Sequence, residues 1–103
     1  MPMVGADDPS FDLSGETIAA VDGVVRNAAG ALAGSALDMA SAVRNCVRLL
    51  DLPLEEAARM ASTYPADLLG LGATHGRIAP GYQADLVALD EELQVVGTWI
   101  GGA

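Results

Sequence analysis

Gly-Ala-Leu-Ala-Gly-Ser-Ala-Leu-Asp-Met-Ala-Ser-Ala-Val-Arg-Asn, residues 30–45, carries a glycine-hinged turn directly into an amphipathic segment. Ser35 is a favourable N-cap and Asp38 follows three residues on as a near capping box, so the spacing predicts a helix beginning at Ala36. Gly34 lets the backbone pass close to another group. A helix start presents unpaired N–H groups and a partial positive charge, which makes Leu32 to Ser35 a candidate cradle for an oxygen-rich or anionic ligand without any basic side chain. An ordinary capped helix after a glycine turn explains the same residues, and on local chemistry alone it is the better account.

Along the predicted helix, Asp38, Ser41, Asn45 and Arg48 recur at three- and four-residue intervals as one narrow polar strip. Ala36, Leu37, Met39, Ala40, Val43, Cys46, Val47 and Leu50 fill most of the remaining surface, the pattern of a helix buried on several sides. Each large aliphatic side chain buried there would contribute about 1.5–3 kcal/mol, so packing rather than propensity must hold it. Arg44 is open to a phosphate-binding role, but its position favours a structural ion pair or an interhelical hydrogen bond.

Upstream, Pro2, Gly5, Asp7, Asp8 and Pro9 place a loop over residues 1–10. Phe11 to Leu13, Glu16 to Val21 and Val24 to Arg26 read as short strands, parted by the hairpin turns Ser14-Gly15 and Asp22-Gly23. Downstream, Pro53 suits the first turn of a second helix reaching about Ser62, with Glu55 and Glu56 as partners of its positive end. Thr63 is expected to cap a short third helix begun by Pro65 and stopped at Gly70, with Tyr64 as packing. From Gly72 the pattern turns to strands, at Arg77 to Ala79, Ala84 to Leu89 and Gln94 to Ile100, with Asp90-Glu91-Glu92 as a solvated turn.

The 103 residues suffice for one domain, yet 51% hydrophobic content with only four aromatics is an unusual basis for a self-sufficient core. A mean hydropathy of +0.35 without a membrane-length apolar run implies surface meant to be covered by further protein. Fourteen acidic residues against five arginines, and no lysine, give a net charge of −9 that opposes nucleic acid and anionic membranes. Cys46 among apolar positions fits a buried thiol in a reducing compartment, and no leader pattern is read at residue 1, so a cytoplasmic setting is expected. The single histidine, His75, reads as a surface residue, and with one cysteine the chain lacks a conventional zinc-ligand set. No Gly-x-Ser-x-Gly elbow, phosphate-binding lysine loop or dinucleotide fingerprint is present.

The block Leu32-Ala33-Gly34-Ser35-Ala36-Leu37-Asp38-Met39, followed by Ala42-Val43-Arg44-Asn45, resembles the C-terminal part of N-acetylglucosamine-6-phosphate deacetylases of the amidohydrolase superfamily. Met60-Ala61-Ser62, Pro65-Ala66 and Leu69-Gly70-Leu71 are similar to the family's next helices. Gly76-Arg77-Ile78-Ala79-Pro80-Gly81 with Ala84-Asp85-Leu86-Val87 is similar to its closing strands, a motif many amidohydrolases share. Met1-Pro2-Met3-Val4-Gly5 resembles the segment that follows the family's catalytic aspartate, which places that aspartate just upstream of Met1.

The resemblance implies an α/β fold: the C-terminal portion of a metal-dependent-hydrolase (β/α)₈ barrel with the closing strands of its small β-sandwich domain, in the order β-hairpin, about three helices, then strands. It divides the chain into residues 1–35 (loop and hairpin after the last barrel strand), 36–72 (helices packing on the barrel) and 73–103 (sandwich strands). It implies hydrolysis of an acetamide assisted by one or two divalent ions, zinc being the expected metal, on an upstream glutamate and histidines, with glucosamine 6-phosphate and acetate as products. No catalytic residue or metal ligand is expected in this chain, which should be inactive alone. The family's substrate-contacting turn falls on Leu32, Ala33 and Gly34; alanine at the second position is tolerated if the contact is made by backbone. The implied partners are an amino-sugar phosphate, the N-terminal remainder of the protein and, through open strand edges, further copies of itself. Two alternatives stay open: another amidohydrolase, acting on an N-acyl amino acid or cyclic amide, and a non-catalytic assembly module.

Overall fold

The computed structural model describes residues 10–103, so the loop expected ahead of Ser10 and the resemblance at Met1 to Gly5 lie outside the described residues. The chain forms two compact units, one ending at Asp38 and the other beginning at Met39.

In the first unit, β1 (Ser10–Leu13), β2 (Glu16–Val21), β3 (Val24–Arg26) and β4 (Leu32–Ser35) form an antiparallel meander in sequential order. Its first two turns follow from local backbone preference. Ser14 and Gly15 have φ 53° and 83°, and Asp22 and Gly23 have 51° and 76°, the double left-handed geometry that closes two-residue hairpins. Across β1 and β2, Phe11 opposes Ile18, while Asp12 opposes Thr17 and accepts its hydroxyl hydrogen at 3.1 Å. Ile18 and Val25 form the buried centre of the sheet, packed by Phe11, Ala20 and Ala36.

The fourth strand corrects the expected helix start. Leu32 to Ser35 is paired with β3 rather than coiled ahead of a helix, and the helix begins at Met39, not Ala36. Ser35 still accepts the Leu37 N–H, at 3.2 Å, but as a local turn outside the helix. Pairing satisfies backbone groups along Leu32–Ser35 that a turn would leave to solvent, and that gain outweighs the capping preference of one serine.

The second unit starts with α1 (Met39–Leu49), none of whose residues is fully buried; Met39 and Leu49 are 62% and 76% exposed. The expected burial on several sides is therefore not met within the described residues. Asp51 at φ 54° turns the chain, and Pro53 accepts the N–H groups of Glu56 and Ala57 at the start of α2 (Leu54–Ala58).

The expected break at Thr63 is absent. A π-helical turn, Arg59–Thr63, joins α2 to α3 (Tyr64–Leu68), and Thr63 itself has helical angles. Pro65 offers no N–H and its ring crowds the carbonyl four residues back; the widened turn upstream, in which the Tyr64 N–H reaches Arg59 O, accommodates it without ending the helix. The run stops where glycine dictates. Gly70 at φ 74° donates to Asp67 O and Leu71 to Ala66 O, the paired bonds of a Schellman stop.

The last elements are β5 (Leu86–Leu89) and β6 (Val95–Trp99), an antiparallel pair. Arg77 to Ala79 is not a strand: the Arg77 guanidinium is tied to Gly72 O and Asp67, and Ile78 is 92% exposed, with no strand paired to it among the described residues. Asp90 Oδ1 accepts the N–H groups of Glu92 and Gln94, so the exposed turn expected at Asp90 to Glu92 is present. Among the described residues the strands make a four-stranded and a two-stranded sheet.

Candidate functional site

The substrate-strip residues inferred from sequence, Leu32, Ala33 and Gly34, lie on β4, which pairs with β3 along one edge and, among the described residues, has no strand on the other. The register shifts here: Arg26 opposes Leu32 and Val25 opposes Gly34, so Ala33 is the extra residue of a β-bulge. Gly34 at φ 150° takes a conformation that side chains disfavour, and a Cβ there would meet open space, so backbone geometry rather than crowding calls for glycine. All four residues of β4 are exposed. Leu32-Ala33-Gly34 has no ionisable group, so its chemical capacity is hydrogen bonding from the backbone of a bulged edge, and it can orient a ligand but not transfer a proton.

Arg44 is absorbed by structure. Its guanidinium donates to Leu93 O at 2.9 Å and to Ser41 Oγ at 2.7 Å, while Arg48 donates to Glu92 O at 2.8 Å. Two arginines on α1 thus hold consecutive carbonyls of the β5–β6 turn, beside Leu93 at a left-handed φ of 61°. The partner is a turn rather than a second helix.

A second lock surrounds Gly72. Arg77 makes a two-point contact with Asp67, 3.2 Å at each oxygen, and donates to Gly72 O at 2.8 Å, where the Tyr82 hydroxyl also donates at 2.9 Å. The Asp67 carboxylate holds the Arg77 pKa above its ordinary value. Tyr64 is more than packing: its hydroxyl donates to Glu56, which also receives Arg59, and these bonds, that from Arg59 first, hold the Glu56 carboxyl below its ordinary pKa. His75 is half-buried rather than a free surface ring, with Nδ1 2.8 Å from the Thr74 hydroxyl. Cys46 is half-buried beside a shallow apolar groove between α1 and the α2 region.

Among the described residues, no three histidine, cysteine, aspartate or glutamate side chains converge to hold a metal ion. The described residues by themselves therefore do not fit a hydrolytic metal centre. The sequence reads Asn27-Ala28-Ala29-Gly30 as a turn, and the structure has it; what the sequence reading did not supply is its closure by the side chains of Arg26 and Asn27.

The amidohydrolase family model matches residues 12–103, and the chain belongs to that family. It is 44% identical over 102 residues to an N-acetylgalactosamine-6-phosphate deacetylase of Escherichia coli O157:H7, covering 99% of this chain and 27% of that one. It is 34% identical over 102 residues to an N-acetylglucosamine-6-phosphate deacetylase of Vibrio furnissii, covering 99% and 26%. The crystal structure of N-acetylglucosamine-6-phosphate deacetylase from Pasteurella multocida matches with a TM-score of 0.88 at 36% identity, over 96% of this chain and 26% of that one. The chain thus spans about a quarter of the length of these relatives.

Proposed function

We propose that this chain is part of an N-acetylglucosamine-6-phosphate deacetylase. The observation that carries this reading is the match along nearly the whole chain to amino-sugar-phosphate deacetylases about four times its length. The reaction is hydrolysis of the acetamide: water adds at the acetyl carbon, the C–N bond breaks, acetate leaves and the sugar amine takes a proton. A divalent metal, zinc by expectation, supplies the activation in this family, and its ligands, with the catalytic aspartate, would belong to protein outside the described residues. Within that enzyme, the hairpin and Leu32-Ala33-Gly34 border the sugar-phosphate, residues 36–72 pack on a (β/α)₈ barrel, and residues 73–103 close its small β-sandwich. The exposed residues of β5 and β6 support a homo-oligomer. A cytoplasmic setting accords with phosphorylated substrates; among the described residues, no helix is long and apolar enough to cross a membrane.

The 103-residue chain alone is expected to release no acetate from N-acetylglucosamine 6-phosphate with zinc added, whereas the full-length enzyme turns it over. Turnover by the isolated chain, or none by the full-length enzyme, overturns the corresponding half of the proposal. A second reading, the C4 epimer N-acetylgalactosamine 6-phosphate, is favoured by the 44% identity to a galactosamine enzyme against 34% to a glucosamine one. Relative kcat/KM for the two sugars, measured on the full-length enzyme, decides between them.

A further inference from the structure

The turn from β3 to β4 is closed by four hydrogen bonds. The Asn27 N–H donates to Ala31 O at 3.0 Å, and Asn27 O accepts the Gly30 N–H at 2.9 Å. Asn27 Oδ1 accepts the Ala31 N–H at 2.8 Å, and Arg26 Nη1 donates to Gly30 O at 2.9 Å. All four backbone polar groups of Gly30 and Ala31 are therefore tied to Arg26, the last residue of β3, and to Asn27, which follows it.

This closure has a geometric consequence one residue further on. With Ala31 anchored, Leu32 enters the ladder opposite Arg26, and Gly34 meets Val25, so the surplus residue of β4 is forced to be Ala33. Strand register is all-or-none: a slip of one residue reverses which face every side chain occupies and exchanges the backbone groups turned toward the neighbour for those turned away. Asn27 is half-buried, whereas Arg26 is exposed, so the asparagine is the better protected of the two anchors.

We propose that Asn27 is a positioning residue for sugar-phosphate binding, holding the bulge at Ala33 in register so that the edge groups of Leu32-Ala33-Gly34 meet the substrate. The inference rests on the deacetylase function proposed above. It assigns Asn27 no contact with the reacting atoms; its action passes through the turn to β4.

The test uses the full-length enzyme with Asn27→Ala and Asn27→Ser, assayed on N-acetylglucosamine 6-phosphate and N-acetylgalactosamine 6-phosphate. Asn27→Ala removes the acceptor for the Ala31 N–H and is expected to raise KM about tenfold, with kcat changed less than about twofold. Asn27→Ser keeps a neutral hydroxyl acceptor and is expected to recover most of the loss. An unchanged KM in Asn27→Ala overturns the proposal, as does a KM defect that Asn27→Ser leaves untouched, or a fall in kcat and thermal midpoint with KM constant. If the wild-type full-length enzyme deacetylates neither sugar, the functional reading falls and this inference falls with it; a defect-free Asn27→Ala in an active enzyme removes the inference alone.

Discussion

Gly76 and Gly81 have nearly the same backbone angle, φ 84° and 86°, but different surroundings. A Cβ on Gly76 would lie 2.9 Å from Ala66 Cβ, 3.0 Å from Ser62 O and 3.1 Å from Thr63 Cα, whereas one on Gly81 would meet nothing within 4 Å. Thr63 donates its hydroxyl hydrogen to Gly76 O at 2.6 Å, so this glycine is held hard against the π-helical turn. Gly81→Ala is expected to cost about 1 kcal/mol from the left-handed backbone alone, and Gly76→Ala about 2–3 kcal/mol more from overpacking. Urea unfolding of both variants checks the difference; equal costs would show that the close approach carries no energy. Glu56 supports a pH prediction at the same scale. Its carboxyl is held below the ordinary value by Arg59 and Tyr64, so its contribution is complete above the unfolded pKa and is lost as pH falls through the lower folded one. Stability measured by urea midpoint from pH 7 to about 3 is expected to fall less steeply in Glu56→Gln than in the parent.

At the scale of elements, Ser35 separates two accounts of one stretch. As the N-cap of a helix starting at Ala36, its loss to alanine would cost about 1 kcal/mol. On β4, with one exposed bond to the Leu37 N–H at 3.2 Å, Ser35→Ala is expected to cost less than about 0.5 kcal/mol. Thermal unfolding of the variant discriminates, and a loss near the larger figure would restore the capped helix. The helical run after Pro53 shows a comparable contest: a proline at position 65 signals a helix boundary in sequence, yet the chain widens by one π turn and continues. Both the Gly70 stop and the Ser14-Gly15 and Asp22-Gly23 turns were legible because each depends on the φ of one or two residues.

At the scale of the whole molecule, only Ile18, Val25, Ala57 and Ala66 are buried apolar residues among those described, while Leu32, Leu68, Ile78 and Ile100 are each more than 70% exposed. That imbalance is what an alanine- and valine-rich chain with four aromatics foreshadows, and it accords with a segment spanning about a quarter of its relatives. We propose Leu32 to Gly34 as the strip bordering the substrate on its resemblance to the deacetylases, a contiguous motif readable in the sequence. Its bulge was not, since a register shift depends on what the opposite strand offers at Val25 and Arg26. By itself the sequence determined the turns, the helix stop and the family, because left-handed φ preferences and a contiguous motif are local properties. Only the tertiary structure decided that Leu32–Ser35 is a strand, that Arg77 to Ala79 is not, and that Arg44 serves a turn, because the partners that decide each case, β3, Gly72 and Leu93, lie outside the segment itself and select among states that local preference leaves nearly equal.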